Sequence, residues 1–191
     1  LRNQGGYQEQ QFYFDSLVTN GTFDANTSGW GALRSASLSV ASGKLRITYN
    51  GTASPMAYQV IPTRIGETYQ ISVDFFVGTG GGGSIWVSGS FNTNGLNELV
   101  NDTLAAGTNV NTFTATSIAT YVYLVSFANA ASEFDEYDNV SMFETDGTGI
   151  IYTMPQGWKP KDFFEDGLLQ REGAAHDYEV VYDGFDYVVK P

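Results

Sequence analysis

The sequence predicts an all-β protein: a two-sheet antiparallel β-sandwich of jelly-roll type, followed by a C-terminal extension rich in β-hairpins. Three observations carry that prediction. Runs of strict apolar–polar alternation recur along the chain, and a period of two marks a half-buried strand. Glycine, at 22 of 191 residues, supplies turns between those runs. Strong helix formers are sparse before the last forty residues, while aromatic side chains reach 15% against 16% charged. That balance favours strands.

Residues 1–15 are Gln-rich and end in Phe12, Tyr13 and Phe14. They read as an N-terminal arm whose rings cover either a neighbouring subunit or their own domain. From Ser16 turn formers crowd together: Asn20-Gly21, Asp24 and Gly29-Trp30. Leu38 and Val40 alternate, then Leu45, Ile47 and Tyr49 against Lys44, Arg46 and Thr48. Asn50-Gly51 is a hairpin-type dipeptide. Met56, Tyr58 and Val60 alternate with Ala57 and Gln59, and the pattern puts Tyr58 and Val60 inside. After a connection over Pro62–Glu67 comes the clearest run of all. Tyr69, Ile71, Val73 and Phe75 take one side, Gln70, Ser72 and Asp74 the other.

No strand holds four consecutive glycines, so Gly80–Gly83 is a loop. Beyond it Ile85 and Val87 face one way, and Ser84, Trp86 and Ser88 the other. A large aromatic thus stands on an otherwise polar face. An Asn-rich loop follows over Asn92–Asn101, then a short strand over Val110–Ala115. Tyr121, Tyr123, Val125 and Phe127 share one face of a longer strand, and Tyr137–Glu144 closes the unit. Roughly eight to ten strands over about 130 residues suit a sandwich or jelly roll. Its expected interior is Leu45, Ile47, Tyr58, Val60, Tyr69, Ile71, Val73, Phe75, Ile85, Val87, Tyr123 and Val125.

The formal net charge of -12 repels nucleic-acid phosphates and anionic lipid, and no basic patch offsets it. Neither nucleic acid nor membrane is an expected partner. Without cysteine there is no disulfide framework and no thiolate chemistry. No apolar run approaches the ~18 residues of a membrane-crossing helix. The opening LRNQGGYQEQQ has no apolar core of a signal peptide, and the strand-like run Val188–Pro191 stops without a turn. Both ends read as those of a segment of a longer chain.

Several short elements now gain meaning together. Asn20-Gly21-Thr22-Phe23-Asp24, Gly29-Trp30, Gly43-Lys44-Leu45, Gln59-Val60-Ile61, Gly66-Glu67-Thr68-Tyr69, Ser72-Val73-Asp74-Phe75 and Tyr137-Asp138-Asn139-Val140-Ser141 follow one another in order. This series, across residues 16–145, resembles the carbohydrate-binding modules of families 4, 9 and 22. The resemblance implies a β-sandwich jelly roll of similar length. It also implies a structural Ca2+ joining the start and end of the sandwich. Its ligands would include an acidic side chain after the Asn-Gly-x-Phe element and an aspartate of the closing strand. Asp24 and Asp138 occupy those positions, Asp24 being shorter than the glutamate common there. The other reading of the pair is two surface carboxylates in turns. Such modules recur in bacteriophage virion proteins, often without a known sugar, so the fold is implied more strongly than the ligand.

Residues 146–191 change character. A Gly-rich linker over Thr145–Gly149 precedes turn signals at Asp166-Gly167 and Asp183-Gly184. Tyr178, Val180 and Tyr182 alternate, as do Phe185, Tyr187 and Val189. The stretch DGLLQREGAAHDYEVVYDG resembles short β segments of phage tail and fibre proteins. So short a segment builds little core of its own, and a partner surface is expected for it.

A sugar ring offers apolar C–H faces and hydroxyl edges, so its sites pair a flat aromatic with hydrogen-bonding side chains. Trp86 supplies the aromatic. Arg46, Gln59 and Asp74 lie on the polar faces of other strands and would line a groove with it if those strands shared a sheet. The alternative is a Trp86 that covers the sheet or meets a neighbouring subunit. Trp30 reads as core or rim, Trp158 as a packing anchor of the tail. Catalysis finds no support. His176 is the only histidine, and His176 and Asp177 as strand neighbours point to opposite faces. No nucleophile motif is present, and no Gly-Lys-Ser/Thr follows the glycine run.

The reading is a non-enzymatic structural or adhesive protein of a phage particle, in head decoration or tail fibre, carrying a glycan-binding-type sandwich. Expected partners are other virion subunits, met through residues 1–15 and 146–191, a homo-oligomer, and cell-surface glycans. The alternative is a secreted carbohydrate-binding module of a polysaccharide-degrading enzyme.

Overall fold

The computed structural model describes residues 16–91, 94 and 98–145, together with the strand backbone within 152–190. The arm expected over 1–15 and Trp158 and His176 lie outside the described residues. Two five-stranded antiparallel sheets face each other, and no helix occurs among the described residues. The first sheet runs in the order β1 (Gly31–Leu33), β4 (Met56–Pro62), β9 (Ala119–Ser126), β6 (Gly83–Ser88), β7 (Val100–Thr103). The second runs β2 (Ser37–Ala41), β3 (Lys44–Thr48), β10 (Phe134–Thr145), β5 (Thr68–Phe76), β8 (Gly107–Thr114). This is the expected β-sandwich.

The core lies between the sheets where alternation is one-sided. Leu45 and Ile47 of β3, Tyr69, Ile71, Val73 and Phe75 of β5, and Ile85 and Val87 of β6 are all buried there. Each such side chain contributes about 1.5–3 kcal/mol by leaving water. Trp30 joins this core and packs on Phe23 with ring centroids 5.5 Å apart.

In β4 the inward and outward sides are the reverse of the expectation. Ala57, Gln59 and Ile61 point to the core, while Met56, Tyr58 and Val60 face outward. Gln59 is tolerated inside because its amide is fully used. Its Oε1 accepts the Thr19 N–H at 2.8 Å, and its Nε2 donates to the carbonyls of Thr19 and Gly29 at 2.9 and 3.2 Å. A buried amide with its hydrogen bonds made carries little penalty. In β9 the inward residues are Val122 and Leu124. Tyr123 and Val125 are buried as expected, but on the outer side of the sheet.

The glycine run has a physical cause. Asp135 of β10 is buried and accepts the Gly78 N–H at 2.9 Å and the Ser126 hydroxyl at 2.6 Å. A Cβ on Gly80 would lie 2.3 Å from Asp135 Oδ2, and one on Gly83 2.2 Å from the Tyr137 hydroxyl. At these two positions a side chain would collide with the buried pair, and Gly81 between them takes a φ of 82° that favours glycine.

β10 pairs with β5 in two registers, shifting between Asp138 and Ser141. Asn139 sits in the bulge with φ 48°. The bulge turns Val140 into the core, and its N–H donates to the Gly21 carbonyl at 2.9 Å. The segment before β1 is thereby tied to the closing strand.

Past the sandwich, β11 (Tyr152–Thr153), β15 (Tyr187–Lys190) and β14 (Glu179–Tyr182) form a three-stranded antiparallel sheet. β12 (Phe163–Glu165) and β13 (Leu168–Gln170) form a hairpin. The register sets Val189 opposite both Tyr152 and Val180, and Tyr187 opposite Tyr182.

Candidate functional site

The outer face of the first sheet is the chemically distinctive surface. Cross-strand register lines up Gly31, Tyr58, Tyr123, Trp86 and Asn101 across all five strands. Towards Pro62 the next positions are Val60, Tyr121 and Ser88; on the other side lie Leu33, Met56, Val125, Ser84 and Thr103. None of these outward strand positions carries a charge, in a chain of net charge -12. The second sheet is the opposite, with Lys44, Arg46, Asp74, Glu136 and Asp138 on its outer face.

The rings of the first sheet form a continuous floor. Tyr123 stacks on Tyr58 at 6.2 Å and on Tyr121 at 6.4 Å, with interplanar angles of 26° and 15°. Trp86 packs against the same cluster. Tyr123 is 1% exposed, so it supports the floor, and the accessible ring surface belongs to Tyr58, Tyr121 and Trp86. Phe91, from the connection after β6, stands edge-on to both Tyr58 and Tyr121 with centroids 5.9 Å away in each case. Beyond Tyr58 a cleft of 380 Å³ opens, lined by Leu17, Thr19, Gly29, Gly31, Tyr58, Gln59, Val60 and Pro62.

The structure separates the four side chains expected to share a groove. Trp86 stands on the aromatic face. Gln59 belongs to the same sheet and borders the cleft, with its amide turned to Thr19 and Gly29. Arg46 and Asp74 lie on the outer face of the other sheet, so no single groove spans all four. Both are engaged there. The Arg46 guanidinium pairs with Glu136 at 2.7 Å and covers the Phe134 ring at 3.9 Å. Asp74 accepts from Thr108 Oγ1 at 2.6 Å and Asn139 Nδ2 at 2.8 Å. Sequence reasoning missed Tyr58 and Tyr121 as surface rings: it placed Tyr58 in the interior, and set Tyr121 on the same face as Tyr123 and Val125, which it took for interior. The available signal was that β9 is apolar on both sides, one more than a sandwich core requires.

Asp138 precedes the bulge and comes within electrostatic reach of Asp24 and Asp74. Burial pushes its carboxyl above the ordinary value. The Asn139 amide and Lys44 oppose that shift, while Asp74 and Asp24 add to it. Asp24 Oδ2 accepts the Thr22 hydroxyl at 2.8 Å. Crowded carboxylates fit a hard cation in charge. Among the described residues no group of three His, Cys, Asp or Glu side chains converges as a metal cluster. Carbonyl and hydroxyl oxygens would have to complete the six to eight ligands, roughly, that Ca2+ takes.

No family model and no curated protein sequence matches this chain. Solved structures do. A CBM4 structure aligns with a TM-score of 0.52 and 16% identity, covering 67% of this chain and 99% of the other. A weaker likeness is to the CBM22-1 xylan-binding domain of Paenibacillus barcinonensis Xyn10C, with TM-score 0.47, 16% identity, and 69% and 95% of the two chains covered. Another is to the enzymatically active domain of bacteriophage CBA120 tailspike protein 4, with TM-score 0.48 and 11% identity. That match covers 68% of this chain and only 21% of the tailspike. In fold, the chain is a β-sandwich similar to that of a carbohydrate-binding module.

Proposed function

We propose that this protein is a non-enzymatic glycan-binding module whose binding surface is the outer face of the first sheet. The observation that supports it most is the uncharged aromatic floor of Tyr58, Tyr121, Tyr123 and Trp86 in a strongly acidic chain. Rings of this kind stack on the C–H faces of sugars. Asn101, exposed on the edge strand opposite Trp86, offers hydrogen bonds to hydroxyls. The ligand class that follows is an uncharged glycan, since an anionic one would meet net repulsion and no cation at that face's outward strand positions. Trp86 is the principal contact. Titration of the chain with soluble neutral polysaccharides tests the reading. Saturable binding that Trp86→Ala removes supports it, and no binding across a broad glycan panel ends it.

The setting we propose is a phage particle, in which the protein is structural or adhesive and residues 1–15 and 146–191 meet other subunits. The tail's register supports this, setting Val189 opposite Tyr152 and Val180, and Tyr187 opposite Tyr182. A secreted module of a polysaccharide-degrading enzyme is the second reading, and the same aromatic face serves it equally. We also propose a structural Ca2+ between Asp24 and Asp138, which would neutralise the crowded carboxylates and tie the chain entry to β10.

A further inference from the structure

The aromatic floor has one member that does not come from a strand. Phe91 leaves the sheet after β6, crosses β9, and reaches Tyr58 on β4. Its ring is turned 74° from that of Tyr58 and 71° from that of Tyr121. Those tyrosines both lie nearly parallel to Tyr123 between them. Phe91 is therefore an upright ring set against a floor of aligned ones. More than half of it, 54%, faces water. A side chain that served only to cover the tyrosines would hide more of itself.

We infer that Phe91 is a specificity-determining contact, clamping one ring of an uncharged glycan into the corner it makes with Tyr58 and Tyr121. This rests on the glycan-binding reading of the same face. An aligned floor offers a sugar only one surface to stack on. An upright ring beside it offers a second, so that one C–H face meets a tyrosine while the ring edge meets Phe91. Two surfaces at an angle fix the orientation of a sugar ring, where a single surface lets it slide. Trp86, on the far side of Tyr123, then holds a neighbouring part of the same chain. The cleft beyond Tyr58 continues the path.

The experiment is calorimetric titration of soluble xylan, cello-oligosaccharides and galacto-oligosaccharides into four forms: the unaltered chain, Phe91→Ala, Phe91→Tyr and Trp86→Ala. Phe91→Ala is expected to weaken binding about three- to tenfold. Phe91→Tyr should restore it, and the thermal midpoint should not move, because Phe91 is half in water. If Trp86→Ala removes binding but Phe91→Ala leaves it unchanged or tighter, the glycan reading stands and the clamp falls. If the unaltered chain binds none of the probes, or neither alanine variant affects binding, both fall.

Discussion

Asp135 carries the sharpest consequence at the scale of one residue. Its carboxylate is fully buried where the glycine run turns back into the sheet. Burial pushes its pKa above the ordinary value, and the donors Ser126, Gly78, Phe127 and Gly82 offset this only in part. In the unfolded chain the group regains its ordinary value. Between that value and the raised one, the native state binds more protons, so stability falls as pH rises through the window. The contribution is full below the ordinary carboxylate value and lost above the folded one. Asp138 is shifted in the same direction. Asp135→Asn keeps an acceptor and removes the titration. Urea unfolding across the pH range should therefore find this variant most favourable, relative to the unaltered chain, near neutrality, and less so on acidification. A difference that is flat, or that rises towards acid, would contradict the buried ionised carboxylate.

Single elements show what could be read from the sequence and what could not. β5 alternates apolar with polar, so only one side can be core, and its interior was legible residue by residue. So was Trp86, a ring among serines. β4 and β9 carry apolar side chains on both sides, and alternation cannot say which side meets the other sheet. In β4 the hidden polar residue, Gln59, bonds to a segment 30 and 40 residues away, beyond any local pattern. Arg46 and Asp74 were grouped with Trp86 because facing within a strand is readable and sheet membership is not. The β10 bulge is a further such case. It follows directly on Asp138, which pairs with Asp74 and lies within electrostatic reach of Asp24, the neighbours on which the proposed calcium site depends. An ion bound only by the folded state raises stability by mass action. The thermal midpoint is thus expected to rise with added calcium and fall with chelator, and Asp138→Ala should abolish the difference. Equal midpoints in both conditions would remove the ion from the account.

For the whole molecule, the division of chemistry between two outer faces is the organising fact. Charge gathers on the second sheet, in pairs such as Arg46–Glu136, and the first sheet keeps none at its outward strand positions. The tail adds a small three-stranded sheet, which ordering alone does not stabilise. Ordering costs on the order of 1–2 kcal/mol per residue in backbone entropy. We therefore expect the full chain to sediment as an oligomer, and Val180→Asp with Val189→Asp to return it to a monomer. A chain that stays monomeric at high concentration would count against subunit contacts through the tail.

The central claim, that the first sheet's outer face binds glycan, is tested most directly by comparing single alanine variants of the two faces against one soluble neutral glycan. Trp86→Ala and Tyr121→Ala are expected to reduce binding at least about tenfold, the scale of a lost aromatic contact, while Asp74→Ala and Arg46→Ala leave it unchanged. Loss of binding in the Asp74 or Arg46 variant, with the Trp86 variant unaffected, would place the site on the opposite sheet and contradict the account.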